Sequence, residues 1–249
     1  MIVLKSRYEI EQVRKSCQIV ASALEAVKKV SEPGITCKEL NDLAERLIVQ
    51  GGAIPAFKGY RGFPAALCTS VNEQIVHGIP DGRVLKEGDI ISLDLGVRLN
   101  GFFGDCAITV PVGNISGEAE RLLKVTEASL YQGIQQAVVG NRLFDISHAV
   151  QSWVEKNGFS VVRDFVGHGI GRELHEEPQV PNFGTPHQGP RLQEGMVLAL
   201  EPMVNAGSSK VEVLADGWTA VTADGSLSAH VEHTVAITSN GPEILSRLC

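Results

Sequence analysis

Two β-rich runs, DIISLDLGVRL and FFGDCAITVPV, flank the dipeptide Asn100-Gly101. Asn-Gly between such runs signals a two-residue hairpin turn, whose central positions need positive φ. A two-residue turn sets the register: cross-strand partners carry numbers summing to 201, so Asp94 faces Ala107. Asp105 lies two residues from Ala107, and side chains two apart on a strand share a face. Asp94 and Asp105 are therefore expected as diagonal neighbours on one side of an antiparallel sheet.

Two carboxylates on a mainly apolar face are costly, because burial and mutual repulsion both penalise the charged form. A cation has to compensate. The hairpin offers only Arg98, on the same nominal face, so a salt bridge and a metal site both stay open from this segment alone. Further along, Glu201 in MVLALEPMV and Glu232 in SAHVEHTVAI sit in aliphatic or β-branched runs. Either alone suits the exposed face of a strand; four acids in strand interiors favour a metal cluster. His168 lies in VGHGIG, whose glycines are expected to let the chain approach a ligand closely. His175 in LHEEP and His77 in QIVHGIP fall at strand or loop edges. Each histidine singly suits a structural role, and together with the acids they indicate a hydrolytic site. His148, His187, His230 and His233 are assigned none. An oxygen-rich set with one imidazole suits divalent Mn, Fe, Co or Zn. Its charge is enough for two ions at the roughly 3.5–4 Å spacing of two-metal hydrolases.

Around this hairpin the pattern is helical. Ile10, Val13, Cys17, Val20, Leu24 and Val27 recur at helical spacing over 7–30. Pro33-Gly34 ends that helix, and Thr36 with Glu39 forms a capping box for a second one that stops at Gly51-Gly52. Residues 53–64, rich in Gly, Pro and aromatics, suit a binding loop. Residues 118–157 return to helix, and strand-like segments recur around 159–166, 196–204, 211–221 and 229–238. A shift of 106 positions lays Gly34, Glu39, Leu40 and Gly52 on Gly140, Asp145, Ile146 and Gly158. A duplicated half-domain and a chance likeness of amphipathic helices would both produce that echo.

At 249 residues the chain is long enough to bury a large core and is read as a single catalytic domain over 1–249. Its net charge of −7 argues against a nucleic-acid groove. Five scattered cysteines, Cys17, Cys37, Cys68, Cys106 and Cys249, form no C-x-x-C pair and are expected as free thiols. The start lacks a signal-peptide core and no apolar run approaches membrane-spanning length, so a cytoplasmic protein without a membrane contact is expected.

The ordered set Asp94, Asp105, His168, Glu201 and Glu232 resembles the five-ligand signature of the methionine aminopeptidase and creatinase family. The strings VNEQIVHGIP, GDIISLDLGV, GFFGDCAITV, GHGIGRELHEEP, MVLALEPMV and VEHTVAI are similar to type I methionine aminopeptidases across nearly the whole chain. The resemblance implies an α+β pita-bread fold: a curved antiparallel sheet backed by helices, with pseudo-twofold symmetry. It implies two divalent metal ions, Co, Mn, Fe or Zn, with Asp94 chelating one and Asp105 and Glu232 bridging both. His168 and Glu201 would bind the second. The catalytic pattern begins near residue 1, unlike prolidases and creatinases with a large N-terminal domain. Only sixty-four positions separate His168 from Glu232, which leaves no room for the type II insertion.

The same resemblance implies removal of the initiator methionine from nascent polypeptide N-termini, favouring a small second residue. Glu201 would act as general base, His175 would stabilise the oxyanion, and His77 would position the substrate amide. Phe57, Tyr60, Phe63, Cys68, Leu174 and Trp218 match the apolar pocket for the methionine side chain. Phe57 stands in place of a smaller residue and Leu174 in place of an aromatic, so the pocket is expected narrower at one point and wider at another. A monomer with transient ribosome contact is implied. The competing readings are a prolidase-like enzyme acting on Xaa-Pro dipeptides and a binding protein that keeps the fold without the chemistry.

Overall fold

The computed structural model describes residues 1–247; Cys249 lies outside them. In chain order the elements are α1 (Arg7–Val30), α2 (Cys37–Gln50), β1 (Ile54–Pro55), β2 (Leu67–Val71), β3 (Gln74–Val76), β4 (Ile90–Leu99) and β5 (Phe102–Pro111). The second half holds α3 (Gly117–Gln136), α4 (Leu143–Lys156), β6 (Ser160–Val161), β7 (Gly167–Gly169), β8 (Glu176–Val180), β9 (Val197–Leu200) and β10 (Met203–Asn205). It ends with β11 (Val211–Val213), β12 (Ala220–Thr222), β13 (Ser228–His230), β14 (Glu232–Thr238) and β15 (Gly241–Ile244).

The β4–β5 hairpin forms in the expected register: Asp94 pairs with Ala107, and Asn100 and Gly101 adopt φ of 51° and 82°. Alternation along β4 then divides its side chains. Ile91, Leu93, Leu95 and Val97 are fully buried beneath α1 and α2, with Val20, Leu24, Val27, Leu40 and Ile48. Burying each such aliphatic side chain stabilises the fold by about 1.5–3 kcal/mol. The opposite face carries Asp94. The capping box of Thr36 and Glu39 closes the start of α2 as expected, Thr36 N donating to Glu39 Oε2 at 2.8 Å.

Nine strands join in one antiparallel sheet in the order β1–β4–β5–β14–β9–β7–β8, with β2 also on β4 and β15 also on β14. The internal echo is structural. The same shift of 106 lays α2 on α4 and β1 on β6 end to end, and the end of α1 on the end of α3. The isolated bridges Thr36–Val84 and Arg142–Arg191 recur in matching places before the two helices. The second half buries its own core of Leu143, Ile146, Leu198, Leu200 and Val235 against α3 and α4. The two halves meet where β5 pairs with β14.

Several expectations need correction. Only Ser160–Val161 of the segment 159–166 is strand, the run 196–204 breaks at Glu201-Pro202, and 211–221 folds as two short strands around a turn. The strands β7, β8 and β15 are short and contain Gly, Pro or acidic residues, and with the three-residue β3 they exist because neighbouring strands complete their hydrogen bonds. Cys17, Cys37, Cys68 and Cys106 are free and buried. No helix of the described residues is long and apolar enough to cross a membrane.

Candidate metal centre

Register places the acids. Asp94 lies opposite Ala107 and Ala107 opposite Glu232, so β4, β5 and β14 present Asp94, Asp105 and Glu232 on one face. From the other half, His168 pairs with Ala199 and Ala199 with Thr234, two residues along from Glu232, which brings His168 to the same face. His233 pairs with Leu200. One step past that ladder Glu201 comes opposite Glu232. Glu201 thus follows β9 rather than lying inside a strand, and Glu232 is the first residue of β14. Both expected strand interiors are strand ends, where the side chains turn toward the cavity.

Ligand atoms of Asp105, His168 and Glu232 lie within 4.8 Å of one another, and all three residues are buried. Asp94 and Glu201 line the same cavity. Asp94 Oδ1, Asp105 Oδ1 and Glu232 Oε1 are buried without a hydrogen-bond partner. Burial, reinforced by the neighbouring acids, pushes the Asp105 and Glu232 carboxyls well above the ordinary range. Burial lifts Asp94 and Glu201 to about 7. Arg98 does not compensate: its guanidinium lies over the Phe103 ring, 5.5 Å from the centroid. Among the described residues the ion-pair partners of these four acids are His168 and His230, both on Glu201. Orphaned acceptors around one imidazole are what a divalent cation satisfies, so the residues fit two such ions.

His168 is oriented for that purpose. Its Nδ1–H donates to Gly169 O at 2.9 Å, which leaves the Nε2 lone pair facing the acids. The flanking glycines have a different cause from the one expected. A Cβ on Gly167 would stand 2.3 Å from Ala199 O, and one on Gly169 2.3 Å from Glu177 O. They admit the neighbouring strands, not a ligand.

The remaining predicted residues surround the cluster. Phe57, Tyr60, Phe63, Cys68, His77, Leu174, His175 and Trp218 all line its cavity. Phe57 lies over the bare backbone of Gly96, and a Cβ there would meet its ring at 2.5 Å. Leu174 is buried, and the Phe63 and Trp218 rings meet edge-on at 5.2 Å. The His175 ring lies 4.3 Å from that of His168, and its Nδ1 is 2.8 Å from the Tyr60 hydroxyl. His175 is solvent-accessible at the edge of the cavity, and partial desolvation there, then His168, Arg61 and His77, lowers its pKa to about 3. Burial, with His230, lowers His77 to about 4. Both imidazoles are therefore neutral at neutral pH.

Two residues at the site carried no expectation. Arg61 lines the cavity from a turn where its φ is 50°. His230, assigned no role from sequence, is buried with its Nε2 3.5 Å from Glu201 Oε2. Its position two residues before Glu232 was the available signal. His148, His187 and His233 do not line the cavity.

Residues 11–239 match the family model of metallopeptidase family M24. The chain is 58% identical to methionine aminopeptidase 1 of Bacillus subtilis, over the full length of both. It superposes on the crystal structure of a methionine aminopeptidase from Thermotoga maritima with a TM-score of 0.98 at 49% identity, covering all of both chains. A prolidase from Pyrococcus furiosus shares the fold at a TM-score of 0.80 and 22% identity, over 99% of this chain and 66% of that one.

Proposed function

The chain belongs to metallopeptidase family M24, and from that premise we infer that it removes the N-terminal methionine of peptides and nascent proteins by metal-dependent hydrolysis. The observation that carries this reading is a cluster of unpartnered buried acids opening into an apolar, aromatic pocket. Both halves contribute to one sheet and one site, which supports treating 1–249 as a single catalytic domain.

Asp94, Asp105, His168, Glu201 and Glu232 would hold two divalent metal ions, whose Lewis acidity polarises a carbonyl and acidifies water. Every other step belongs to the chain. The methionine side chain, flexible and polarisable, fits among Phe57, Tyr60, Phe63, Cys68, Leu174 and Trp218. Glu201 takes the proton of the attacking water and passes it to the leaving amine. With the Tyr60 hydroxyl, 2.8 Å away, as donor to His175 Nδ1, the ring proton would sit on Nε2. That N–H is then available to the developing oxyanion. His77, neutral and held edge-on against Phe165 at 5.3 Å, orients the substrate amide.

Enclosure of the cluster between the aromatic loop 57–63 and the turn bearing His175 supports preference for a small second residue. The five proposed metal-site residues and the proposed pocket residues all belong to one chain, which supports a monomer as the working unit. Action on nascent chains would have the protein work in the cytoplasm with transient contact at the ribosome, a reading that the free buried thiols of Cys17, Cys37, Cys68 and Cys106 support.

The test is release of methionine from Met-Ala-Ser by metal-stripped protein, before and after addition of Mn(II), Co(II), Fe(II) or Zn(II). Metal-dependent release, with none from Leu-Ala-Ser or Xaa-Pro dipeptides, is the expected outcome. Cleavage of Xaa-Pro alone would replace this reading with the prolidase one, and no release with any metal would favour a binding protein.

A further inference from the structure

His230 is 1% exposed, and neither ring nitrogen has a hydrogen-bond partner. Leaving both atoms of a buried imidazole unpaired is costly unless the ring is held for a purpose. The ring is held. The His230 backbone N–H donates to Thr109 Oγ1 at 2.9 Å, and that hydroxyl donates to His230 O at 2.6 Å. Ser92 Oγ lies 2.8 Å from Thr109 Oγ1, and β10 pairs Met203 with His230. Two strands of the first half and one of the second thus converge on this backbone.

The imidazole so fixed faces the Glu201 carboxylate. His230 Nε2 is 3.5 Å from Oε2, while His168 Nε2 is 3.6 Å from Oε1, one ring beside each oxygen. The two rings are not equivalent. His168 spends its single N–H on Gly169 O, so its Nε2 cannot donate. Among the described residues His230 Nε2 is then the side-chain donor positioned to serve the Glu201 carboxylate, and catalytic hydrogen bonds of this length tighten on loading.

We propose that His230 is a positioning residue for Glu201, donating Nε2–H to Oε2 and fixing the orientation in which the carboxylate exchanges a proton with water. The inference rests on the general-base reading of Glu201. It separates the oxygens by role: Oε2 is anchored by protein, and Oε1 stays available toward His168 and the metal site.

Wild type, His230→Gln and His230→Leu would be compared by kcat and KM on Met-Ala-Ser, by Mn(II) affinity in calorimetry, and by imidazole 15N shifts in the metal-free protein. The leucine variant is expected to lose about 10- to 100-fold in kcat, as supporting hydrogen bonds to such sites do, with KM and Mn(II) affinity within about threefold. Glutamine, which retains a donor, should recover activity to within about threefold of wild type. The 15N shifts should place the His230 proton on Nε2. An unchanged kcat in the leucine variant, a glutamine variant as slow as leucine, or a proton on Nδ1 would each overturn the proposal. Loss of Mn(II) affinity by more than about 100-fold would also overturn it, making His230 a ligand instead. Absence of methionine release by wild type would instead strike the reading of the reaction, leaving the imidazole shifts to judge the contact.

Discussion

The Tyr60 hydroxyl lies 2.8 Å from His175 Nδ1, and the two rings stack with centroids 5.2 Å apart. A neutral imidazole has one N–H, so this contact decides which face of His175 can donate into the cavity. His175→Ala should lower kcat by about 10²–10³ while KM stays nearly constant, as loss of an oxyanion donor does. Tyr60→Phe leaves the ring stack and removes the hydroxyl, and a loss of about tenfold in kcat is expected from the tautomer alone. Steady-state kinetics on Met-Ala-Ser separates the cases; a loss confined to KM would refute the transition-state role.

Asp105 and Glu232 share the centre of the ligand cluster with His168. Asp105→Asn removes one charge and one acceptor from the group both metals would share. Metal analysis of the purified variant should find fewer than two tightly bound ions per chain. Retention of both would count against the bridging assignment.

Protonation ties metal binding to pH. Asp94 and Glu201 have folded-state values near 7 because burial disfavours their charged forms. Values raised above the unfolded carboxylate range mean stability that is present at low pH and lost as pH rises through 7. The half-buried His77 and His233, lowered to about 4, and His175, lowered to about 3, are neutral in both states above the ordinary histidine range and drop out there. Metal-stripped protein should therefore lose thermal stability as pH rises from about 6.5 to 7.5 and level off above that, where both carboxylates are ionised folded and unfolded alike, and saturating Mn(II) should remove that loss. Calorimetry in buffers of different ionisation enthalpy should detect proton release on Mn(II) binding at pH 6 that shrinks at pH 8.5.

The turn that carries Leu174 and His175 is clamped from the N-terminus. Lys5 forms an ion pair with Glu176, their side chains only 4% and 11% exposed, and Glu176 Oε1 accepts the N–H groups of Arg172 and Glu173. Lys5→Met strands a buried carboxylate, which costs about 3–5 kcal/mol when such a pair is broken from one side. Urea unfolding should show that loss, together with a fall in kcat from the loosened His175. Replacing both partners, Lys5→Met with Glu176→Gln, should cost less than Lys5→Met alone.

Local chemistry alone determined much of this protein. Asn100-Gly101 dictated a tight turn, and the turn dictated the register that puts Asp94 and Asp105 on one face. The spacing of apolar residues with the Thr36 cap determined α1 and α2 nearly to the residue, and the 106-residue echo carried the symmetry of the fold. That Asp94, Asp105, His168, Glu201 and Glu232 line one cavity with the pocket aromatics was legible because order and flanking strings agree with a known family. Tertiary structure decided what depends on neighbours distant in sequence. The glycines beside His168 answer to the carbonyls of Ala199 and Glu177, which no local pattern names. Short strands such as β7 and β8 exist through pairing rather than propensity, since three to five residues cannot specify a strand alone. His230 looked like any other histidine until β10 and β13 set it 3.5 Å from Glu201. A side chain's role there follows from which charges it meets in a low-dielectric interior, and only the folded chain brings those charges together.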